Sequence, residues 1–258
     1  MVVADFYISI VNLLIYMSHE MPGCIARHEP AKGSDAAAAR NACIERVGLD
    51  AVDYCMFIDS DMAFPQSGLK TLLSRNKKVI SGVNFKKHGN YEPTIYQRDA
   101  QNNVDIVREV EVDKLFTVEG TGGAFLLVHT DVLKKISKRH GSKWFEWTPG
   151  LSEDLTFCQR VREAGEEVWV DSSVFTDHYT MTPRGMEDYL RVKKEEQEKR
   201  KVVGESVITR KGKKFDPVKF RREMIRPSQD QDVEGPGVLY GDDETTGSPG
   251  VLNIQTVE

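Results

Sequence analysis

Apolar runs that end in polar residues mark the predicted strands of this chain. The run YCMFI leads directly into the sequence Asp59-Ser60-Asp61, and KVISGV and AFLLVH form two further runs. Unbroken apolar runs of this length predict strands that are buried on both faces. Between residues 92 and 112 the segments TIYQRD and VDIVREVEV alternate polar and apolar residues, which predicts half-exposed antiparallel strands.

Helices are predicted between these strands. Ser34 or Asp35 can cap the helix that contains four consecutive alanines, and Gly48 ends it. Ser152 can cap a later helix that Gly165 ends. The predicted helices cover residues 6–20, 33–48, 65–76, 130–140, 152–165 and a long, highly charged stretch at 185–204.

The order of these elements predicts an α/β fold with a mixed, mostly parallel sheet and helices on both faces. In such sheets ligands collect at the carboxyl ends of the strands, where Asp59 and Asp61 lie. We expect residues 1–182 to form this domain and residues 183–225 to form a charged helical extension. Residues 226–258 are rich in Gly, Pro, Asp and Glu, which predicts a disordered tail.

Composition excludes several classes of partner and location. The chain has 258 residues and a formal net charge of -5, so a long basic face for nucleic acid is not expected. The apolar run from Phe6 to Met17 is too short to span a bilayer, so no integral membrane segment is expected. Four cysteines without CxxC spacing are interpreted as reduced thiols, which predicts a cytoplasmic protein.

Asp59 and Asp61 are the first candidate site residues. Two carboxylates in the turn after a strand can bind one hard cation, Mn²⁺ or Mg²⁺, which phosphate oxygens of a substrate often help to coordinate. The alternative is an ordinary acidic turn with a helix cap. His178 follows a later strand and can supply an imidazole to the same cation, or serve a structural role.

A second group of candidates surrounds the start of the 152–165 helix. Glu153 and Asp154 lie in the first turn of this helix, where the helix dipole stabilises negative charge. The alternative is that one of them acts as a general base. Arg40 lies in mid-helix among alanines and is either solvated or close to a nucleotide. Gly122 and Gly123 form a turn that allows close backbone approach, without the GK[ST] of a P-loop.

Two tryptophans, Trp144 and Trp147, lie in the segment KWFEWTPG. Aromatic rings with a polar atom suit stacking on a sugar, and they suit core packing equally well. Both residues are therefore candidate contacts to a sugar or to an acceptor.

The ordered set ARN, FIDSDM, GTGGAFLLV, SEDLTFCQRVREAG and DHY resembles the nucleotide-sugar-dependent glycosyltransferases of the GT-A fold. It is most similar to the family 2-like enzymes of bacteria and their phages, which implies a Rossmann-like catalytic domain. A phage origin would imply the host cytoplasm. The resemblance implies a UDP- or GDP-sugar donor and an acceptor glycan or protein.

The resemblance also implies a role for each matching residue. Asp59 corresponds to the first aspartate of the DxD motif, which contacts the ribose or the metal. Asp61 corresponds to the last one, which binds Mn²⁺ or Mg²⁺ with the donor diphosphate. His178 would complete the coordination of that metal, and Arg40 would lie near the nucleotide.

The other matches concern the reacting centre. Gly122 and Gly123 correspond to a donor-binding turn beside the donor sugar and the acceptor. Asp154 corresponds to the carboxylate at the reacting centre, with Glu153 as its neighbour. One departure is that the family usually begins with a strand ending in Pro-Thr, which lines the nucleotide base. Here the sequence starts at the first helix, so this strand is expected either upstream or lost from the chain.

Other classes make different demands on the sequence. A nucleotidyltransferase of related fold usually has a basic glycine-rich loop after its first strand, and a dehalogenase-like phosphatase needs Thr or Val where Ala63 stands. A carbohydrate-binding module would not need Asp61, Asp154 and His178 together. An inactive remnant that still binds a nucleotide sugar stays an alternative if the first strand is lost.

Overall fold

A computed structural model describes most of the chain. The described residues are 3–31, 35–87, 91–99, 101, 104–179, 183–186, 189–191, 193–194, 197 and 250–256. They form a mixed α/β fold. The helices are α1 (Ala4–Glu20), α2 (Ala36–Val47), α3 (Gly68–Ser74), α4 (Thr130–His140) and α5 (Glu153–Glu163).

The predicted caps are present at the two helices that carry the site. The side chain of Asp35 accepts from the N–H of Ala37 at 3.0 Å, and Gly48 caps the end of α2 after Val47. Ser152 accepts from the N–H of Leu155 at 3.4 Å. Gly165 follows the end of α5 with φ 80°, a conformation that glycine adopts without a steric cost.

Thirteen strands occur among the described residues. They are β1 (Cys24–Pro30), β2 (Tyr54–Ile58), β3 (Met62–Ala63), β4 (Val79–Val83), β5 (Ile95–Arg98), β6 (Val104–Ile106), β7 (Leu115–Val118), β8 (Gly120–Thr121), β9 (Phe125–His129), β10 (Val168–Phe175), β11 (Asp177–Tyr179), β12 (Pro183–Arg184) and β13 (Gly250–Thr256). The predicted half-exposed strands between residues 92 and 112 are confirmed by β5 and β6, which pair antiparallel.

The central sheet has seven strands in the order β1-β13-β2-β9-β4-β10-β7. The predicted mixed sheet is confirmed. Among the described strands, however, only the neighbours β4 and β10 pair in parallel. Strands β1, β2, β4 and β10 run in one direction, but β13 and β9 run antiparallel between them. The expectation of a mostly parallel sheet is therefore correct in that four of the seven strands run in the same direction. It is wrong for the pairing of neighbouring strands, which is mostly antiparallel.

Helices cover both faces of this sheet, as predicted. Along β2, Cys55 and Phe57 belong to one apolar cluster, while Met56 and Ile58 belong to the other. The first cluster includes side chains of α2, α4 and α5, and the second includes those of α1 and α3. This alternation explains why YCMFI is apolar at every position, because each strand residue packs against a covered face.

The tail prediction is wrong for residues 250–256. This segment forms β13 and pairs antiparallel with β1 on one side and β2 on the other. The rest of the predicted tail, 226–249 and 257–258, lies outside the described residues, as does most of the predicted charged helix. The division into 1–182, 183–225 and 226–258 stays a prediction.

Two further expectations concern thiols and membranes. All four cysteines are free, and Cys43, Cys55 and Cys158 are buried in the core. Among the helices of the described part of the chain, none combines the length and apolar character needed to cross a bilayer.

Candidate functional site

The candidate site lies at the carboxyl end of β2, in the turn that leads to β3. The N–H of Asp59 donates to the carbonyl of Ala124 at 3.0 Å, which ties this turn to the start of β9. Strand β3 pairs with β11, and this register sets Met62 opposite His178. Strand pairing therefore brings His178, which is distant in sequence, to the same edge of the sheet as Asp59 and Asp61.

Arg40 is the centre of the site and is only 2% exposed. Its Nη2 donates to both carboxylate oxygens of Asp59, at 2.9 and 3.1 Å. Its Nη1 donates to Asp154 Oδ1 at 2.6 Å and to Glu153 Oε1 at 3.1 Å. Burial opposes the charge of Arg40, but the three carboxylates outweigh burial and raise its pKa. Arg40 thus joins the end of β2 to the start of α5.

This geometry bears on two of the sequence predictions. Arg40 near a nucleotide stays a prediction, and the structure shows Arg40 buried with four hydrogen bonds to carboxylates. Asp59 as a metal ligand also stays a prediction: both of its oxygens accept from Arg40, and each keeps a second lone pair for a further contact.

Glu153 and Asp154 begin α5 and lie against the guanidinium. Burial raises the pKa of Asp154, the charge of Arg40 opposes this, and the charge of Asp59 adds to the increase. Burial and the charge of Asp154 likewise raise the pKa of Glu153, against the effect of Arg40. One guanidinium faces three carboxylates, so both groups take up a proton more readily than usual. A carboxylate with a raised pKa in a shared site is a candidate general base.

Asp61 belongs to a second group of contacts beside the first. Its Oδ2 accepts from Lys87 Nζ at 2.5 Å and lies 3.4 Å from His178 Nε2. Burial works against the charge of Asp61, but the bonds to His178 and Lys87 outweigh it and hold the pKa at about 2. Asp61 is therefore ionised across the physiological range.

His178 is oriented by the backbone. Its Nδ1 lies 2.8 Å from the carbonyl oxygen of Phe85, and because a carbonyl only accepts, Nδ1 carries a proton. The Nε2 atom then faces Asp61. Burial lowers the pKa of His178, but the carboxylate of Asp61 outweighs this and raises it.

The pair Asp61 and His178 could supply two ligands to a divalent cation that replaces their contacts with Lys87 and with each other. Cis ligands of an octahedral Mg²⁺ lie about 3 Å apart, close to the 3.4 Å between Asp61 Oδ2 and His178 Nε2. A backbone carbonyl on the second ring nitrogen is the usual support of a metal-binding histidine. Within the described residues no three His, Cys, Asp or Glu side chains form a metal cluster, so this pair supplies two ligands.

The glycine turn lies against the same residues. The backbone N–H of Gly123 donates to the carboxylate of Asp154. A Cβ atom at Gly123 would stand 2.6 Å from Asp154 Oδ1 and 3.0 Å from Arg40 Cζ. The N–H of Gly122 donates to Thr94 O at 3.0 Å, which anchors the other half of the turn. Only a residue without a side chain fits at 123 while Asp154 and Arg40 keep these positions.

The Gly123→Ala variant is expected to displace the carboxylate of Asp154 and to abolish most of the activity of the site. The added methyl group overlaps two groups that cannot both move away, because each is held by charge. A shift of about 1 Å in a catalytic group costs about 10²-fold in rate. Turnover of the purified variant measures the effect.

Gly48→Ala is the control, since nothing lies within 4 Å of its added Cβ and its strain comes only from φ +73°. This variant is expected to lose stability and keep activity. Equal activity in Gly123→Ala and the wild type would contradict the close packing of the turn.

The two tryptophans have different positions. Trp144 is 4% exposed, and its Nε1 donates to the carbonyl of Leu133 at 2.9 Å. The prediction that it contacts a sugar or an acceptor is wrong, because it is part of the core. Trp147 is 60% exposed and donates to Asp35 Oδ1 at 3.3 Å, so its ring stays available as a candidate contact.

Sequence reasoning missed Lys87 and Phe145. Lys87 follows β4 in a polar stretch that gives no signal for a site. Phe145 lies under Arg40, with the guanidinium carbon 5.3 Å from its ring centre, and its backbone is held by Asn41 through two hydrogen bonds of 2.8 and 2.9 Å. The hydrogen bonds between Asn41 and Phe145 of the KWFEW segment could not be predicted from the sequence, because the two residues are distant along the chain.

Comparisons with known proteins give limited similarity. No family model and no curated protein matches the chain. A structure of A197 from STIV is 18% identical, covers 57% of this chain and 69% of that one, and gives a TM-score of 0.42. A structure of GalNAc-T7 with UDP, GalNAc and Mn²⁺ is 9% identical over 62% of this chain, with a TM-score of 0.40. The matched region spans only 34% of that chain.

Proposed function

We propose that the protein is a metal-dependent glycosyltransferase with a GT-A-like catalytic domain. It would move a sugar from a nucleotide-diphosphate sugar, UDP- or GDP-linked, to a hydroxyl group of a glycan or protein acceptor. One observation carries the proposal: the DxD turn, Arg40, Gly123, Asp154 and His178 come from separate segments and meet at one edge of the sheet.

The acid–base part of the reaction is assigned to Asp154. Transfer to a hydroxyl group requires a base that accepts the hydroxyl proton. Asp154 is partly exposed, with 21% of its side chain accessible, whereas Glu153 beside it is 8% exposed. Arg40 and the N–H of Gly123 fix the orientation of the Asp154 carboxylate, which supports its role as the base.

The leaving-group part is assigned to Asp61 and His178. These residues would hold Mn²⁺ or Mg²⁺, which as a Lewis acid would stabilise the charge that the diphosphate gains as the sugar departs. Water and phosphate oxygens of the donor would supply the remaining ligands. Lys87 supplies a fixed positive charge at the same carboxylate and adds to the attraction for a diphosphate.

A thermal-shift screen tests donor binding. UDP-, GDP-, dTDP- and CMP-sugars are each added with Mn²⁺ and with EDTA. A ligand present at 100 times its Kd stabilises the native state by about 2.7 kcal/mol, which gives a clear rise in melting temperature. We expect a rise with one nucleotide class and its loss in EDTA. A protein that shifts with none of the donors does not fit the proposal.

The Asp61→Ala variant is expected to lose this metal-dependent shift while it keeps its fold. The variant removes one of the two side-chain ligands, and Asp50→Ala, which changes an acidic residue on the surface with 97% of its side chain exposed, is the control. Donor affinity in Asp61→Ala equal to that of the wild type would overturn the assignment of the DxD motif.

A further inference from the structure

Helix α1 presents an apolar face that nothing in the described residues covers. Its inner face packs on the sheet through Phe6, Leu13 and Met17. Five large apolar residues point outward, with 46–67% of each exposed, and they make up more than half of the exposed large apolar residues described: Tyr7, Ile8, Val11, Leu14 and Ile15. An exposed apolar patch of this kind usually marks an interaction surface.

The outward residues follow the spacing of a coiled-coil seam. Ile8, Val11, Ile15 and Ser18 are separated by three, four and three positions, which is the alternation of a and d positions in a heptad. Leu14 lies beside the seam on one side. A seam of this kind is complementary to another helix rather than to an irregular surface.

The charges of α1 select the partner. Between Asp5 and His19 the helix carries no charged residue, and neither Lys nor Arg occurs in Ala4–Glu20. Asp5, Asn12 and His19 are seven positions apart, on the side of the seam away from Leu14. An antiparallel copy of the same helix would set Asp5 against His19 and Asn12 against Asn12, whereas a parallel copy would set Asp5 against Asp5.

We propose that this face of α1 docks on the same face of a second copy of the chain, with the two helices antiparallel about a two-fold axis. The seam would then pair Val11 with Ile15 and Ile8 with Ser18 of the second copy, and Leu14 would meet Leu14 on the axis. A symmetric pairing of one patch with itself is the commonest form of oligomer. A membrane surface is the weaker match, because interfacial helices carry Lys and Arg on their polar faces.

The contact would also brace the candidate site. The N–H of Val3 donates to the carbonyl of Ser60, between the two aspartates, at 3.4 Å. Ser9 Oγ accepts from the N–H of Phe64 at 3.2 Å. Helix α1 therefore holds the DxD turn in place, and a second helix on its outer face would restrain α1. The docking surface itself does not depend on the proposed glycosyl transfer.

The test is the molar mass of the full chain in solution, measured by light scattering on a sizing column. The wild type is expected at about twice 29.2 kDa. Val11→Lys is expected at the mass of one chain, because a charge in the seam opposes burial. Val104→Lys is the matched control, since Val104 is 47% exposed and Val11 46%, and it is expected to stay dimeric.

The orientation is tested by cross-linking. Leu14→Cys is expected to form a disulfide between two copies on oxidation, because the two-fold axis brings residue 14 against itself, while Tyr7→Cys is expected to stay unlinked. A wild type that is monomeric up to about 100 µM overturns the proposal, whether or not it binds lipid vesicles. So does a dimer that Val11→Lys leaves intact.

Discussion

The Asp154→Asn variant is expected to transfer sugar about 10²–10⁴-fold more slowly than the wild type, the usual contribution of a general base. An amide has nearly the same shape as a carboxylate, so Arg40 Nη1 can still donate to its oxygen. It cannot, however, take up the hydroxyl proton of an acceptor. Donor binding is expected to stay unchanged, so the loss should appear in kcat rather than in the thermal shift with the donor.

Glu153→Gln is the matched variant for this experiment. Glu153 contacts the same Arg40 nitrogen, at 3.1 Å, and is more deeply buried than Asp154. It is expected to keep most of the activity, since it is less accessible to an acceptor. Full turnover in Asp154→Asn would remove Asp154 from the chemistry, and an equal loss in both variants would point to charge balance instead.

The Arg40→Met variant is expected to lower the free energy of unfolding by about 3–5 kcal/mol, the cost of leaving buried charges without their partner. Arg40 is 2% exposed and makes hydrogen bonds to Asp59, Glu153 and Asp154. Methionine fills much of the same volume, so lost packing adds little to the effect. Denaturant unfolding followed by circular dichroism measures it.

Arg139→Met is the control, because the Arg139 side chain is 65% exposed and lies 3.9 Å from Glu163. An exposed ion pair of this kind contributes about 0–1 kcal/mol. If both variants unfold at the same denaturant concentration, Arg40 does not hold the three carboxylates together as described.

Local patterns were sufficient to predict the elements that position the site. Asp35 and Ser152 cap their helices because each lies directly before a helical segment and has an oxygen for a free N–H. Asp59 and Asp61 lie at a sheet edge because an apolar strand ends before them. Such signals act within a few residues and do not depend on the rest of the fold.

Strand direction and strand order were not predictable in the same way. An apolar run such as AFLLVH fits a central strand in either direction, so the antiparallel placement of β9 had no signal. The segment GVLNIQT contains strand-forming residues, but the Gly, Pro and acidic residues before it dominated the composition of the tail. This segment forms a strand by pairing with β1 and β2, and those long-range contacts are not visible in the sequence.

The site was predicted as a set of residues but not as a network. Arg40 among alanines gave no sign that three carboxylates from two other segments would surround it. Trp144 and Trp147 are the same residue type three positions apart, and the fold buries one and exposes the other. Charges and rings acquire their roles from long-range contacts, which one sequence does not contain.

The release of nucleoside diphosphate from nucleotide sugars tests the central proposal most directly. The wild type is incubated with each UDP-, GDP- and dTDP-sugar, with water or a hydroxyl compound as acceptor, in Mn²⁺ and in EDTA. The account predicts release from one donor class in Mn²⁺, none in EDTA, and a strong reduction in Asp154→Asn. Binding of a donor without release under any of these conditions would contradict catalysis, and so would equal release in Mn²⁺ and EDTA.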